Sequence, residues 1–184
     1  PGGIGVFAMA EALSAPAELD HAAPQMIEQA VAVTARRMHL PTPLSAFARL
    51  EANDPTAVSY FRYELARQVA LLLLRYDRNV VALYEEQEVP DGEELAPPEA
   101  SLYDALRVYV LVEQDTRALD HLLEALDRAL VTAIAQRFGQ PPSRYLHAVV
   151  VDRARANLLR PRAHGHRPRP ALVLARESIA EMSD

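Results

Sequence analysis

Nine residues near the C-terminal end carry the most suggestive chemistry in this chain: Ser143, Arg144, His147, Arg153, Arg155, Arg160, Arg162, Arg167 and Arg169. Arginine presents a planar fork of donors that matches a phosphate or the edge of a guanine. Arg144 is the candidate to reach a base, and Arg153 to Arg169 are the candidates to hold phosphates. The surrounding charge agrees with that assignment. Residues 1–136 hold ten Arg against 21 acids, whereas residues 137–184 hold nine Arg against four. Between Arg137 and Arg176 the only acid is Asp152. A basic end on an acidic chain suggests a polyanionic or acidic partner.

Other constellations point to less. His164 and His166 flank one residue, as metal ligands can, but no further ligands accompany them in sequence. Glu113, Asp115, Asp120, Glu124 and Asp127, with His121, and Glu64, Glu85 and Glu86 form a scattered carboxylate set. The Glu-x-x-His order that pairs of helices use to hold two metals occurs only at Glu18 to His21, outside the expected core helices. These acids read as solvated faces with arginine partners four residues on, Glu113 with Arg117 and Glu124 with Arg128. Cysteine is absent, which excludes disulfides and a thiolate nucleophile, and lysine is absent, which excludes a Schiff base or a P-loop lysine. No nucleophile elbow, glycine-rich phosphate loop or paired-histidine zinc motif is present. No catalytic, cofactor or metal residue is assigned, and a non-enzyme is favoured.

The run from Ile134 to Val149 adds a second reason to expect nucleic acid. Ala135 is small, Gly139 follows four residues later, and Tyr145 is an apolar position beyond it. Two helices that cross closely need a small contact residue and a turn that accepts positive φ. This spacing resembles the helix-turn-helix of bacterial regulators. The longer run RFGQPPSRYLHAVVVDRARANLL is similar to one half of an AraC-type DNA-binding domain. Gln140 departs from the pattern, standing where an apolar residue is usual, and no second half follows Leu159. The resemblance implies a recognition helix starting near Ser143, with Ser143, Arg144, His147 and Val151 on or near its exposed start.

The elements that must position these residues read as helices. Asp54 and Pro55 form a cap and first turn, and no further Gly or Pro occurs until Pro90. Val58, Val69 and Val80 repeat at eleven residues, as do Phe61, Leu72 and Leu83, so Asp54 to Gln87 reads as one long helix. Val69 to Leu74 is apolar all round, which calls for cover on several sides, from other helices or a second copy. Ser101 to Gly139 reads as a second long helix, with the polar stretch Val112 to Arg117 as a kink, a solvated stretch or a polar site. Shorter helices are expected from Pro24 to Met38, Leu44 to Leu50 and Ser143 to Arg160. Ala171 to Met182 reads as a last short helix, with Ala-Leu-Val-Leu-Ala as an alternative strand.

The expected fold is therefore all-α: a helical bundle built on a long antiparallel hairpin. Residues 1–23 are expected to be a loose start, residues 24–160 the bundle domain, and residues 161–184 an Arg/Pro-rich strap with a short helix. The expected function is regulatory binding of nucleic acid, duplex DNA first, in a cytoplasmic homodimer without membrane contact. The alternative is a non-catalytic interaction or assembly protein that oligomerises through its long helices.

Overall fold

The Asp54 cap forms as the sequence predicts: its carboxylate accepts from the backbone N–H groups of Thr56 and Ala57 at 3.0 and 3.3 Å. The helix it starts ends early. A computed structural model describes residues 3–87, 100–159 and 169–177, and in it the helix α3 covers only Pro55–Tyr76. Before it come α1, Gly3–Arg37, and α2, Pro43–Glu51. After it come β1, Val80–Gln87; β2, Leu106–Val112; α4, Arg117–Phe138; β3, Leu146–Asp152; a 3₁₀-helix, Arg153–Leu159; and β4, Arg169–Ala175.

The all-α expectation is thus wrong. The four strands form one mixed sheet in the order β3-β2-β1-β4. β1 is antiparallel to both β2 and β4, and β2 runs parallel to β3 across the α4 crossover. The long hairpin dissolves into helix–strand pairs. After Tyr76, Asp77 accepts from the N–H of Asn79 at 2.9 Å, and Asn79 accepts from the N–H of Gln114 at 2.8 Å. This turn breaks the helix without Gly or Pro. The eleven-residue beat persists across the break because Val80 and Leu83 are buried too, now on a strand. The polar stretch after Val112 is solvated, as one reading expected, but it is not a kink inside a helix. It is the turn between β2 and α4, and Thr116 caps α4 by accepting from Leu119 N at 3.3 Å. The helix expected from Ser143 to Arg160 is instead β3 followed by the 3₁₀-helix, as the run Ala-Val-Val-Val favours. β4 realises the alternative strand at Ala171 to Ala175. α1 also runs back through much of the stretch expected to be loose.

α3 and α4 lie on one face of the sheet, and α1 packs on both of them from outside, with α2 beside it. The apolar middle of α3 is therefore covered by its own chain. Val69, Ala70, Leu72, Leu73 and Leu74 are buried in a core that includes Leu83, Leu106, Val108, Val110 and Val112 from the strands. Phe47 of α2, Phe61 of α3 and Phe138 of α4 close one end, with ring centroids 5.2 Å (Phe47–Phe138) and 5.8 Å (Phe61–Phe138) apart.

Backbone carbonyls at the element ends are taken up by two arginines. Arg62 donates to the carbonyls of Ser101, Asp104 and Ala105 ahead of β2. Arg176 donates to those of Leu74, Asp77 and Val80, tying the end of β4 to the α3–β1 turn. Asp127 of α4 does the converse, accepting from the N–H groups of Tyr145 and Leu146 at 2.8 and 2.7 Å and fixing where β3 begins.

Candidate functional site: the open face of the sheet

Strand alternation sends every second side chain away from the helices. On β2 these are Arg107, Tyr109 and Leu111, and the pairing aligns them into rows. Val151, Leu111, Ala82 and Ala175 make one row, covered by Ala156 and Leu159 of the 3₁₀-helix. Val149, Tyr109, Tyr84 and Leu172 make the next, crossing all four strands. It lies at the boundary of that cover: Val149 and Leu172 remain 42% and 52% exposed, and Tyr84 and Tyr109 are half-buried. Beyond them lie His147, Arg107, Glu86 and Pro170.

The polar groups around the two tyrosines are few and connected. Tyr109 Oη donates to Glu86 Oε1 at 3.4 Å. Arg107 sits 3.9 Å from Glu86 Oε2 while its side chain stays 69% exposed. Partial burial, followed by the Glu86 charge, pushes the Tyr109 phenol above its ordinary range. Tyr109 therefore remains a neutral ring with a donor at its tip, suited to stacking and hydrogen bonding and not to proton transfer.

The described residues among those predicted to bind nucleic acid are scattered. No recognition helix forms among the described residues 140–159: α4 ends at Gly139 (φ 87°), as predicted, but the chain beyond it becomes a strand. Tyr145 is fully buried, its hydroxyl donating to Leu102 O at 3.2 Å, so it is a core residue between the helices and the sheet. Ser143 and Arg144 are exposed ahead of β3, with Arg144 Nε donating to Leu146 O at 3.3 Å. His147 is exposed and belongs to the open face. Arg153 grips Glu113 with two hydrogen bonds, at 2.7 and 3.1 Å, and holds its carboxyl below the ordinary range. Arg155 pairs with Asp152 at 3.6 Å, and Arg137 pairs with Glu28 at 2.6 Å and lies over Phe47. Arg169 opens β4, its side chain outside the described residues, as are Arg160, Arg162, Arg167 and the His164–His166 pair.

The carboxylate set is equally dispersed. Glu64 is buried on α3, Glu85 faces the helices, Glu86 faces outward, Asp127 binds backbone, and Glu113 pairs with Arg153 instead of Arg117. Among the described residues no three His, Asp or Glu side chains gather as a metal site, and no helix is long and apolar enough to cross a membrane. Sequence reasoning missed Tyr84, Arg107 and Tyr109. Their signal was the alternation Arg107-Val108-Tyr109-Val110, hidden inside an apolar run taken for a helix. No protein-family model, no curated protein and no solved structure matches the chain.

Proposed function

We propose that the protein is a non-catalytic binding module that lays a single strand of nucleic acid across the open face of its sheet. The observation that carries this reading is the pair Tyr84 and Tyr109. They are direct cross-strand partners on the two central strands, and both point away from the helices. An aromatic ring stacks on an unpaired base of any sequence, for about 1–3 kcal/mol per base. A duplex hides those base faces, and this face projects no helix into a groove, so a single strand fits better than the duplex DNA expected from sequence. Arg107 stands exposed in the adjoining row as a phosphate contact, with His147 beside it on the edge strand. The arginine excess of residues 137–184 adds a field that attracts a polyanion.

Fluorescence anisotropy with labelled uridine and thymidine oligomers tests the proposal. Binding should weaken steeply with salt, and a duplex of the same length should bind less well. Tyr84→Leu and Tyr109→Leu keep apolar bulk but remove the stacking ring, and each should weaken binding by roughly 5- to 100-fold. No binding at low salt sinks the proposal. The exposed aliphatic ends of the row, Leu172 and Val149, favour a second reading, in which the face docks a protein or a second copy. A homodimer would use this face and not the middle of α3, which its own sheet and α1 already cover. That outcome would appear as a mass that rises with concentration and is abolished by Leu172→Asp.

A further inference from the structure

A second polar region lies on the far side of the molecule, where α1 packs on α3. A depression of about 470 Å³ opens there, lined by Gln29, Val33, Arg36, Arg37, Glu64 and Arg67. Three guanidiniums against one carboxylate leave it positive. Glu64 is only 2% exposed, and one of its oxygens, Oε1, accepts from Arg67 at 3.1 Å and from Gln68 at 3.0 Å. Its other oxygen, Oε2, has no partner among the described residues, although Glu64 lines the depression. No side-chain oxygen or nitrogen among the described residues is both fully buried and unpartnered, so Oε2 is reached by solvent through the depression, where a ligand donor can replace water.

The ordinary explanation for Arg36 and Arg37 is that they serve the C-terminal end of α1. The chain itself already does much of this. The carbonyls of Thr34, Ala35 and Arg36 accept from the N–H groups of Met38, Leu40 and His39 at 3.0, 2.9 and 3.2 Å. His39 takes a positive φ of 55° to make that closure. Neither guanidinium makes an ion pair among the described residues. Both are exposed at the rim, while Arg67 is held in place by Glu64.

We propose that this depression binds a small phosphorylated ligand that also carries a hydroxyl or amine. Arg36, Arg37 and Arg67 meet the phosphate, whose oxygens accept their charge-assisted hydrogen bonds. Glu64 Oε2 accepts from the hydroxyl or amine, which takes the place of solvent at that oxygen. The volume suits a sugar phosphate and is too small to enclose a polymer.

Calorimetric titration of the full chain with ribose 5-phosphate, ribose, inorganic phosphate and a thymidine oligomer tests this. Ribose 5-phosphate should bind saturably, inorganic phosphate on the order of tenfold more weakly, and ribose not at all. Arg36→Ala with Arg37→Ala, both at exposed positions, should cost roughly 100-fold while circular dichroism stays unchanged. Glu64→Gln should erase the advantage of the sugar phosphate over phosphate. Should that variant fail to fold, comparison of ribose 5-phosphate with methyl phosphate, which has no hydroxyl on its carbon, reads the same preference on the native chain. Absence of saturable binding to either phosphate, or binding indifferent to the double arginine change, overturns the proposal. So does tighter binding of the oligomer that the same change removes, because these arginines would then belong to a nucleic-acid track.

Discussion

The two faces of the sheet come from the same strands and behave differently. On the helix side Leu83, Val108 and Val110 are essentially without solvent contact. On the other side the cover stops after one row, and Leu172 is half in water. The composition of the strands does not explain this, because both faces carry large apolar groups. The difference lies in what packs on them: two full helices on one side, a seven-residue 3₁₀-helix on the other. The first face is sealed by the helices, and among the described residues the second keeps an uncovered row, which is the surface proposed to bind. The exposed aliphatic ends of the row, Val149 and Leu172, contribute little burial to the fold.

Truncations sharpen the contrast. Leu83→Ala should cost about 2–5 kcal/mol in urea unfolding, through lost burial and the cavity left behind. Leu172→Ala, in the same sheet, should change stability by less than about 0.5 kcal/mol. Comparable losses at the two positions would mean the open face is part of the core. A smaller effect is expected at the entry to β3. Asp127→Ala strands the N–H groups of Tyr145 and Leu146 and should cost about 1–3 kcal/mol, with early loss of hydrogen-exchange protection in β3. Unchanged protection there would show that pairing with β2 alone sets the strand.

The smallest effect tests Glu85, a carboxylate that the sheet turns toward the helices. Burial raises the Glu85 carboxyl above its ordinary 4.5, with Arg62 opposing the shift. The charged form is therefore disfavoured in the folded state. Its contribution penalises folding above the ordinary value and fades as pH falls through the raised one. Glu85→Gln should stabilise the protein near neutral pH and leave it unchanged in acid, where both states hold the proton. Unfolding midpoints across that range check the sign, and an equal effect at every pH would assign it to packing instead.

Local chemistry was readable from residues alone. Asp54 caps its helix, Pro55 stands in the first turn, and Gly139 ends α4 in a left-handed conformation. These depend on a few neighbouring atoms, so the chain states them directly. The division of charge was also visible, but its meaning was not. Arg137, Arg153 and Arg155 meet acids, and Arg176 meets carbonyls, because folding brings those groups within reach.

What only the tertiary structure decided is which apolar runs are strands. β2 alternates only from Leu106 to Val110 before two more buried residues, and a bulge between Val80 and Ala82 interrupts the alternation of β1, so neither the 3.6 nor the 2.0 period is written clearly in them. Val80 to Gln87 and Leu106 to Val112 therefore blend into the helices beside them in sequence. Their identity as strands comes from pairing with each other, over a separation that local propensity does not register. The pairing that makes them a sheet also sets Tyr84 beside Tyr109, so the candidate surface became legible only when the fold did.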